Sequence, residues 1–471
     1  MDYKSLETKI LDKLQRNKKC DKVIKENNKL IKEYFIDVKD SSILKDFINK
    51  LNEVILNSKK YGEIEKFLKH PAMTQVLGAF RDSDILIRAL QNKNKSVAKW
   101  LLTMNVNTNV RDKLGRTALM YACSYWEFES IAEKLAKDNP DSINITDEDG
   151  NNALFHAVKI KNIFDKLIIY KTNINYRNKD GDTLFTYICR CHKPKCLKSL
   201  FQYHPNVDLT VVNNDERTGA MYLAESDNFT ELRSFHAGKR DINLGYKTKK
   251  GENIVSLTIQ RYYDQFKHGI DVSTKTTREK LGGYGGSVFY DRQFNRIYDQ
   301  AKNMARTINA LIDIGCDFNC PVDGDGNTPM IFFLTIKDYV SALNLLQHCK
   351  DLDLSICNKY GISASYLASI LTPSDFESIN NIKHDLYIEI NYDIFVKALH
   401  SNKTYKSDDI IEMKKDIISP YEVPERILSL QSALSEGYFH RAGETSEPYD
   451  PDFFKYISLE YHLKFDYAPK F

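Results

Sequence analysis

Asp112-Lys113-Leu114-Gly115-Arg116-Thr117-Ala118-Leu119-Met120-Tyr121-Ala122-Cys123 places a polar turn and a glycine directly before apolar residues at helical spacing. The pattern returns as DEDGNNALFHAV from Asp147, NKDGDTLFTYIC from Asn178, GDGNTPMIFF from Gly324 and NKYGISASYLA from Asn358. Gly115, Gly150 and Gly181 lie 35 and 31 residues apart, and Gly326 and Gly361 lie 35 apart. Two weaker copies fill the middle. NDERTGAMYLA from Asn214 lacks a glycine at 216 or 217, and KKGENIVSLTI carries Gly251. Each copy closes on apolar pairs: Trp100-Leu101-Leu102, Leu167-Ile168, Leu200-Phe201, Leu311-Ile312 and Leu345-Leu346. A period of this length is the mark of a solenoid, whose repeats each pack only on their neighbours.

Physical roles follow from the residue types. Glycine permits the positive φ of a tight turn. Thr117, Thr183 and Thr328 are placed to cap a helix by accepting backbone N–H bonds. Pro329 suits a helix's first turn, where its missing donor costs little. Ala122 and Ala157 are small enough for helix pairs to approach, and the leucine pairs bury against the next repeat.

These stretches resemble the ankyrin repeat family, whose hallmark is a glycine, a Thr-Pro-Leu-like helix start, a small residue in the first helix and paired leucines in the second. Gly326-Asn327-Thr328-Pro329-Met330, Gly115-Arg116-Thr117-Ala118-Leu119 and the run Leu311 to Asn319 carry the resemblance. It covers about 290 residues, with a period of about 33. Seven repeats follow a degenerate opener, Asp84 to Asn109, whose helices are ILIRAL and SVAKWLL. One repeat carries Thr-Pro, and the family's usual histidine is replaced by Met120, Phe155 and Thr186. The resemblance implies an all-α fold, an ankyrin-repeat solenoid of helix pairs with short hairpin loops. A helical N-terminal cap and a non-repeat C-terminal region complete it.

Three regions are expected. Residues 1–80 read as three or four amphipathic helices, from Leu6, Ile10, Leu14, Ile43, Leu44, Phe47, Leu51, Val54 and Ile55. They form a cap, repeats too worn to see, or a separate helical domain. Residues 81–370 hold the repeats. The 75 residues between Gly251 and Gly326 imply an insertion at about 265–295, flanked by long helices over Ile254–Phe266 and Phe294–Ile312. Residues 371–471 lose the repeat. Ile410–Ile417 and Val423–Leu434 look helical, and the aromatic tail from Gly437 packs as a cap or docks a partner.

The net charge of +3 in 471 residues gives no reason to expect nucleic acid as a partner. No stretch approaches about 18 consecutive apolar residues, so no membrane insertion is expected. The N-terminus has no apolar signal core. Nine scattered cysteines fit free thiols in a reducing compartment, cytoplasmic or nuclear.

Searches for chemistry return structural readings. Cys189, Cys191, His192 and Cys196 form the densest metal-like cluster, but zinc needs converging spaced pairs, and Cys189 and Cys196 fall at core-facing positions. Cys316 and Cys320 flank a turn. Asp323 and Asp325 lack the rest of a calcium loop and read as turn residues. LGGYGGSV, Leu281 to Val288, has neither a Walker lysine nor the other kinase motifs, and reads as a loop. No catalytic residue, cofactor or metal is assigned, and the chain is not read as an enzyme.

The expected function is a protein–protein interaction scaffold or adaptor, a monomer holding a partner protein on its concave surface. The resemblance places the contacts at Lys113, Leu114, Arg116 and Tyr125, then Glu148, Asp149, Asn151, Lys179, Asp180 and Asp182. Tyr125 and Trp126 are the candidate aromatic anchors, with packing between helices as the alternative. Another reading is an effector or enzyme that recruits through its repeats and acts through the insertion or C-terminal region. A third is a structural spacer.

Overall fold

The computed structural model describes residues 2–37, 41–226, 229–260, 307–335, 339–373, 376 and 392–405. The chain divides into two compact units, Met1–Asp208 and Leu209–Phe471. Among the described residues the secondary structure is helical, apart from two isolated β-bridges, Val212 to Thr218 and Cys357 to Ser363.

The first unit opens with α1 (Tyr3–Gln15), α2 (Asp21–Glu26), α3 (Asn28–Ile31), α4 (Ser41–Asn57), α5 (Gly62–Leu68) and α6 (Thr74–Arg81). Leu6, Ile10 and Leu14 of α1 and Phe47, Leu51 and Ile55 of α4 are buried, as one apolar stripe on each helix requires. Ile43, Leu44 and Val54 are half-buried at the margin of that stripe. The helices outnumber the three or four expected because the chain is interrupted locally. Asn27 separates α2 from α3, and Pro71 opens a 3-10 turn before α6.

Next come paired helices. α7 (Ile85–Gln91) and α8 (Lys95–Thr103) form the opener, where the sequence places them. α9 (Ala118–Cys123) pairs with α10 (Glu129–Asp138), α11 (Ala153–Ala157) with α12 (Lys161–Leu167), and α13 (Leu184–Arg190) with α14 (Lys195–Tyr203). A hairpin precedes each of these three pairs and is built the same way. Asp112 Oδ1 accepts the N–H groups of Leu114 and Arg116, both at 2.9 Å. Asp147 Oδ1 accepts those of Asp149 and Asn151, and Asn178 Oδ1 that of Asp182. Gly115, Gly150 and Gly181 complete the turns at φ +71, +77 and +76.

The helix that follows is capped by a side chain. Thr117 accepts from Met120 N at 3.4 Å, Asn152 from Leu154 N at 3.0 Å and Thr183 from Thr186 N at 3.3 Å. Where the family's usual histidine is missing, the replacements take local roles. Met120 Sδ accepts the Thr117 N–H, Thr186 Oγ1 lies 3.2 Å from Thr183 Oγ1, and Phe155 is buried against Tyr187. Ala122 and Ala157 are fully buried, as are Leu101, Leu167, Ile168 and Leu200.

Successive hairpins are tied together. Glu148 N donates to Leu114 O and Lys179 N to Asp149 O, each at 2.9 Å. Tying them this closely crowds a β-carbon at Gly150, which would lie 3.1 Å from Lys179 N and 3.2 Å from Asn178 Cα.

The second unit repeats the device. Asn213, Thr248, Asp323 and Asn358 each accept the turn amides with their side chains, and Thr218, Asn253, Thr328 and Ser363 cap the helices that follow. Pro329 begins the helix Pro329–Thr335, and Gly251, Gly326 and Gly361 have positive φ. Glu216 occupies the missing glycine's place at φ +58. Its carboxylate accepts Lys249 N at 2.8 Å and pairs with Lys249 Nζ at 2.8 Å, a link made elsewhere by backbone. Asp323 and Asp325 are turn residues: Asp323 Oδ1 accepts from Asp325 N and Asn327 N. Cys316 and Cys320 are buried. Residues 254–260 and 307–313 are helical. The rest of the two long helices, the 265–295 insertion with its glycine-rich loop, the helices expected over Ile410–Ile417 and Val423–Leu434, and the tail lie outside the described residues.

Two predictions follow from these turns. Gly361→Ala adds strain alone, since nothing stands near the new β-carbon, and should cost about 1 kcal/mol. Gly150→Ala adds a backbone contact to the same strain and should cost about 2–3 kcal/mol. Urea titrations of both variants check the order; equal losses would mean that the hairpins can part without cost. The second concerns Asp323, whose burial pushes its carboxyl from 3.8 up to about 7, against the pull of the Asn327 donors. Between about pH 4 and 7 the folded state holds a proton the unfolded chain has released, so stability falls as pH rises through that window and is flat above it. Asp323→Asn removes the titration. Its stability relative to wild type should rise by about 2.5 kcal/mol between pH 5 and pH 8, and parallel curves would show the carboxylate ionised throughout.

Candidate partner-binding surface

The hairpins of the first unit present two classes of side chain. Lys113, Leu114, Glu148, Asp149, Lys179 and Asp180 sit at the tips and are exposed, Leu114 at 48%. Mixed signs lie side by side, and no charge of one sign dominates. The residue after each glycine behaves differently. Arg116 is half-buried, with Nε 3.7 Å from Asp147 Oδ2 of the next hairpin. Asn151 is half-buried and its Oδ1 accepts from Asn178 Nδ2 at 2.9 Å. Asp182 is fully buried and pairs with Arg190 Nη2 at 2.7 Å.

This corrects the expectation for Asp182, which is not on an accessible tip. After the first two glycines the side chain reaches the next hairpin, as at Arg116 and Asn151, while Asp182 is held by Arg190 of its own repeat. Asn327 in the second unit also reaches the next hairpin, accepting from Asn358 Nδ2 at 2.8 Å.

Tyr125 and Trp126 stand on the turn joining α9 to α10, at the opposite end of α9 from the hairpin. Tyr125 is half-buried, edge-on to Phe128 at 6.1 Å, with Lys93 Nζ 4.8 Å from its ring centre. Trp126 is 72% exposed. Packing between helices therefore describes Tyr125 in part and Trp126 not at all.

The first helices contribute residues that the motif reading passes over. Tyr121, His156, Tyr187 and Tyr222 each lie four places after a cap, one helical turn on, and three of them reach back to the hairpin. Tyr121 OH donates to Asp112 Oδ2 at 2.7 Å and accepts from Gln91 Nε2 at 2.9 Å. His156 Nε2 donates to Asp147 Oδ2 at 2.9 Å, and Tyr222 OH accepts from Asn213 Nδ2 at 3.0 Å. Burial holds the His156 imidazole below its usual range, despite the opposing pull of Asp147. The i to i+4 offset from the cap is the signal that finds this row.

Residues 86–178 match the family model for ankyrin repeats, in three copies. The chain carries ankyrin repeats. The match begins in α7, so the opener counts as a repeat, and it ends where the third hairpin starts. From Asn178 onwards the same turn and cap geometry recurs. Ankyrin repeats are commonly protein–protein interaction modules. No described helix is long and apolar enough to cross a membrane. None of the nine cysteines is in a disulfide; Cys189 and Cys196 are buried, Cys191 is half-buried and His192 is exposed. Among the described residues no group of three or more His, Cys, Asp or Glu side chains is placed to hold a metal ion.

The two classes of side chain predict different mutational costs. Arg190→Gln strands a buried carboxylate and should destabilise the fold by about 2–3 kcal/mol. Lys113→Glu, at an exposed tip, should change stability by no more than about 0.5 kcal/mol. Thermal denaturation separates them, and a large loss for Lys113→Glu would show that the tips are structural.

Proposed function

We propose that the chain is a protein–protein interaction scaffold or adaptor that holds a partner protein on the hairpin tips and first helices of residues 112–208. The observation that carries this reading is the contrast between tip and core. Lys113, Leu114, Glu148, Asp149, Lys179 and Asp180 are exposed on a row of hairpins tied by backbone hydrogen bonds, while Arg116 and Asn151 are spent on joining repeats. A row held this way orders its tips before a partner arrives, so binding costs less side-chain and loop entropy. The mixed charges support selection of a partner by charge pattern over attraction to one sign.

The test compares wild type with a Lys113→Glu, Asp149→Lys, Lys179→Glu variant in affinity capture from native lysate, followed by titration of the captured protein. A partner held by wild type and weakened at least tenfold by the variant, with circular dichroism unchanged, is the expected result. A partner held equally by both removes the tips from the binding surface.

A further inference from the structure

At the other end of the first helices a second row of side chains is left over. The turns α7–α8, α9–α10, α11–α12 and α13–α14 follow one another along an edge of the first unit, because α9 packs on α7 and α11, α10 on α12, and α12 on α14. Lys93 Nζ over the Tyr125 ring at 4.8 Å joins the first turn to the second. Cys196 Sγ, donating to Val158 O at 3.7 Å, joins the third to the fourth.

Lys93, Lys95, Lys159, Lys193 and Lys195 are exposed on this edge, and no ion pair among the described residues includes them. Cations nearby are spent inside the fold: Arg116 on Asp147, Arg190 on Asp180 and Asp182, and Lys166 on Glu129 and Glu133. Lys95 and Lys195 also stand at the first residues of α8 and α14. There the helix dipole opposes a positive side chain and favours an anion. In the middle of the row is Trp126, 72% exposed, on the turn beside Tyr125.

We propose that this edge docks an acidic segment of a partner protein in extended conformation. An apolar side chain of the segment covers Trp126. Its carboxylates reach Lys93 and Lys95 on one side, and Lys159, Lys193 and Lys195 on the other. Helices packed about 8–10 Å apart set four turns over roughly 25–30 Å, which an extended strand of about eight or nine residues spans. A peptide fits the charge pattern better than a nucleic acid does. The lysines fall in two groups on either side of the Trp126 turn, which carries none, and a peptide can space its carboxylates to match that gap, whereas phosphates recur at every nucleotide. This site is separate from the hairpin tips, so either can fail without the other.

The probe is a pool of labelled ten-residue peptides, each with four Asp or Glu residues and one Phe, Trp or Leu at a varied position. Matched pools replace the acids by Gln, or the apolar residue by Ser. The full-length protein is titrated by fluorescence anisotropy at two salt concentrations. The acidic, apolar-containing pool should bind at least tenfold more tightly than either matched pool, and more weakly at higher salt. Lys93→Gln, Lys159→Gln, Lys193→Gln in one variant, and Trp126→Ala in another, should each weaken binding at least tenfold. Lys113→Glu at a tip should leave it unchanged. Equal binding of the three pools, or indifference to the lysine and tryptophan variants, overturns the proposal. So does a ten-nucleotide single strand that binds more tightly and displaces the peptide, which would assign the edge to nucleic acid.

Discussion

One short hydrogen-bonding arrangement supports the whole series of repeats: a side-chain oxygen three residues before the glycine accepts the turn's own amides. Without it the turn's N–H groups would face each other unsatisfied. With it, each turn is fixed before any neighbour arrives, and can offer its outer carbonyl to the next. Asp, Asn and Thr all serve, because the requirement is an acceptor on a short stem and not a charge. Asp323 shows the cost when the acceptor is both charged and buried: the carboxyl is pushed toward its neutral form.

Much of this was legible in the chain. The glycines gave the turns, Thr117, Thr183 and Thr328 gave three caps, and Ala122 and Ala157 marked close helix approach. Asn152, Asn253 and Ser363 cap equally well but were not singled out, since each breaks the threonine pattern while keeping its chemistry. Glu216 weakens the signal of its turn without removing it, because a charged residue at positive φ is unfavourable locally and is held there by its neighbours.

The candidate surface was less legible than the fold. Lys179, Asp180 and Asp182 look alike in sequence, but only the first two are exposed. The buried Asp182 pairs with Arg190, eight residues away on the following helix, and a turn motif read alone does not contain that partner. For Trp126 the sequence left two readings open, an anchor for a partner or packing between helices; its exposure comes from a short 3-10 turn, Trp126–Phe128, that buries Phe128 and leaves Trp126 outward.

Glu216 also changes the kind of joint between two hairpins. At Glu148, Lys179 and Lys359 a peptide N–H meets a peptide carbonyl, a bond between dipoles that dissolved ions scarcely affect. Between the hairpins of Asn213 and Thr248, the acceptor is a carboxylate with a lysine ammonium beside it, and Lys249 is almost wholly in water. Mobile ions screen such a joint. The second unit thus holds a joint that dissolved ions weaken more than they weaken the backbone joints at Glu148, Lys179 and Lys359.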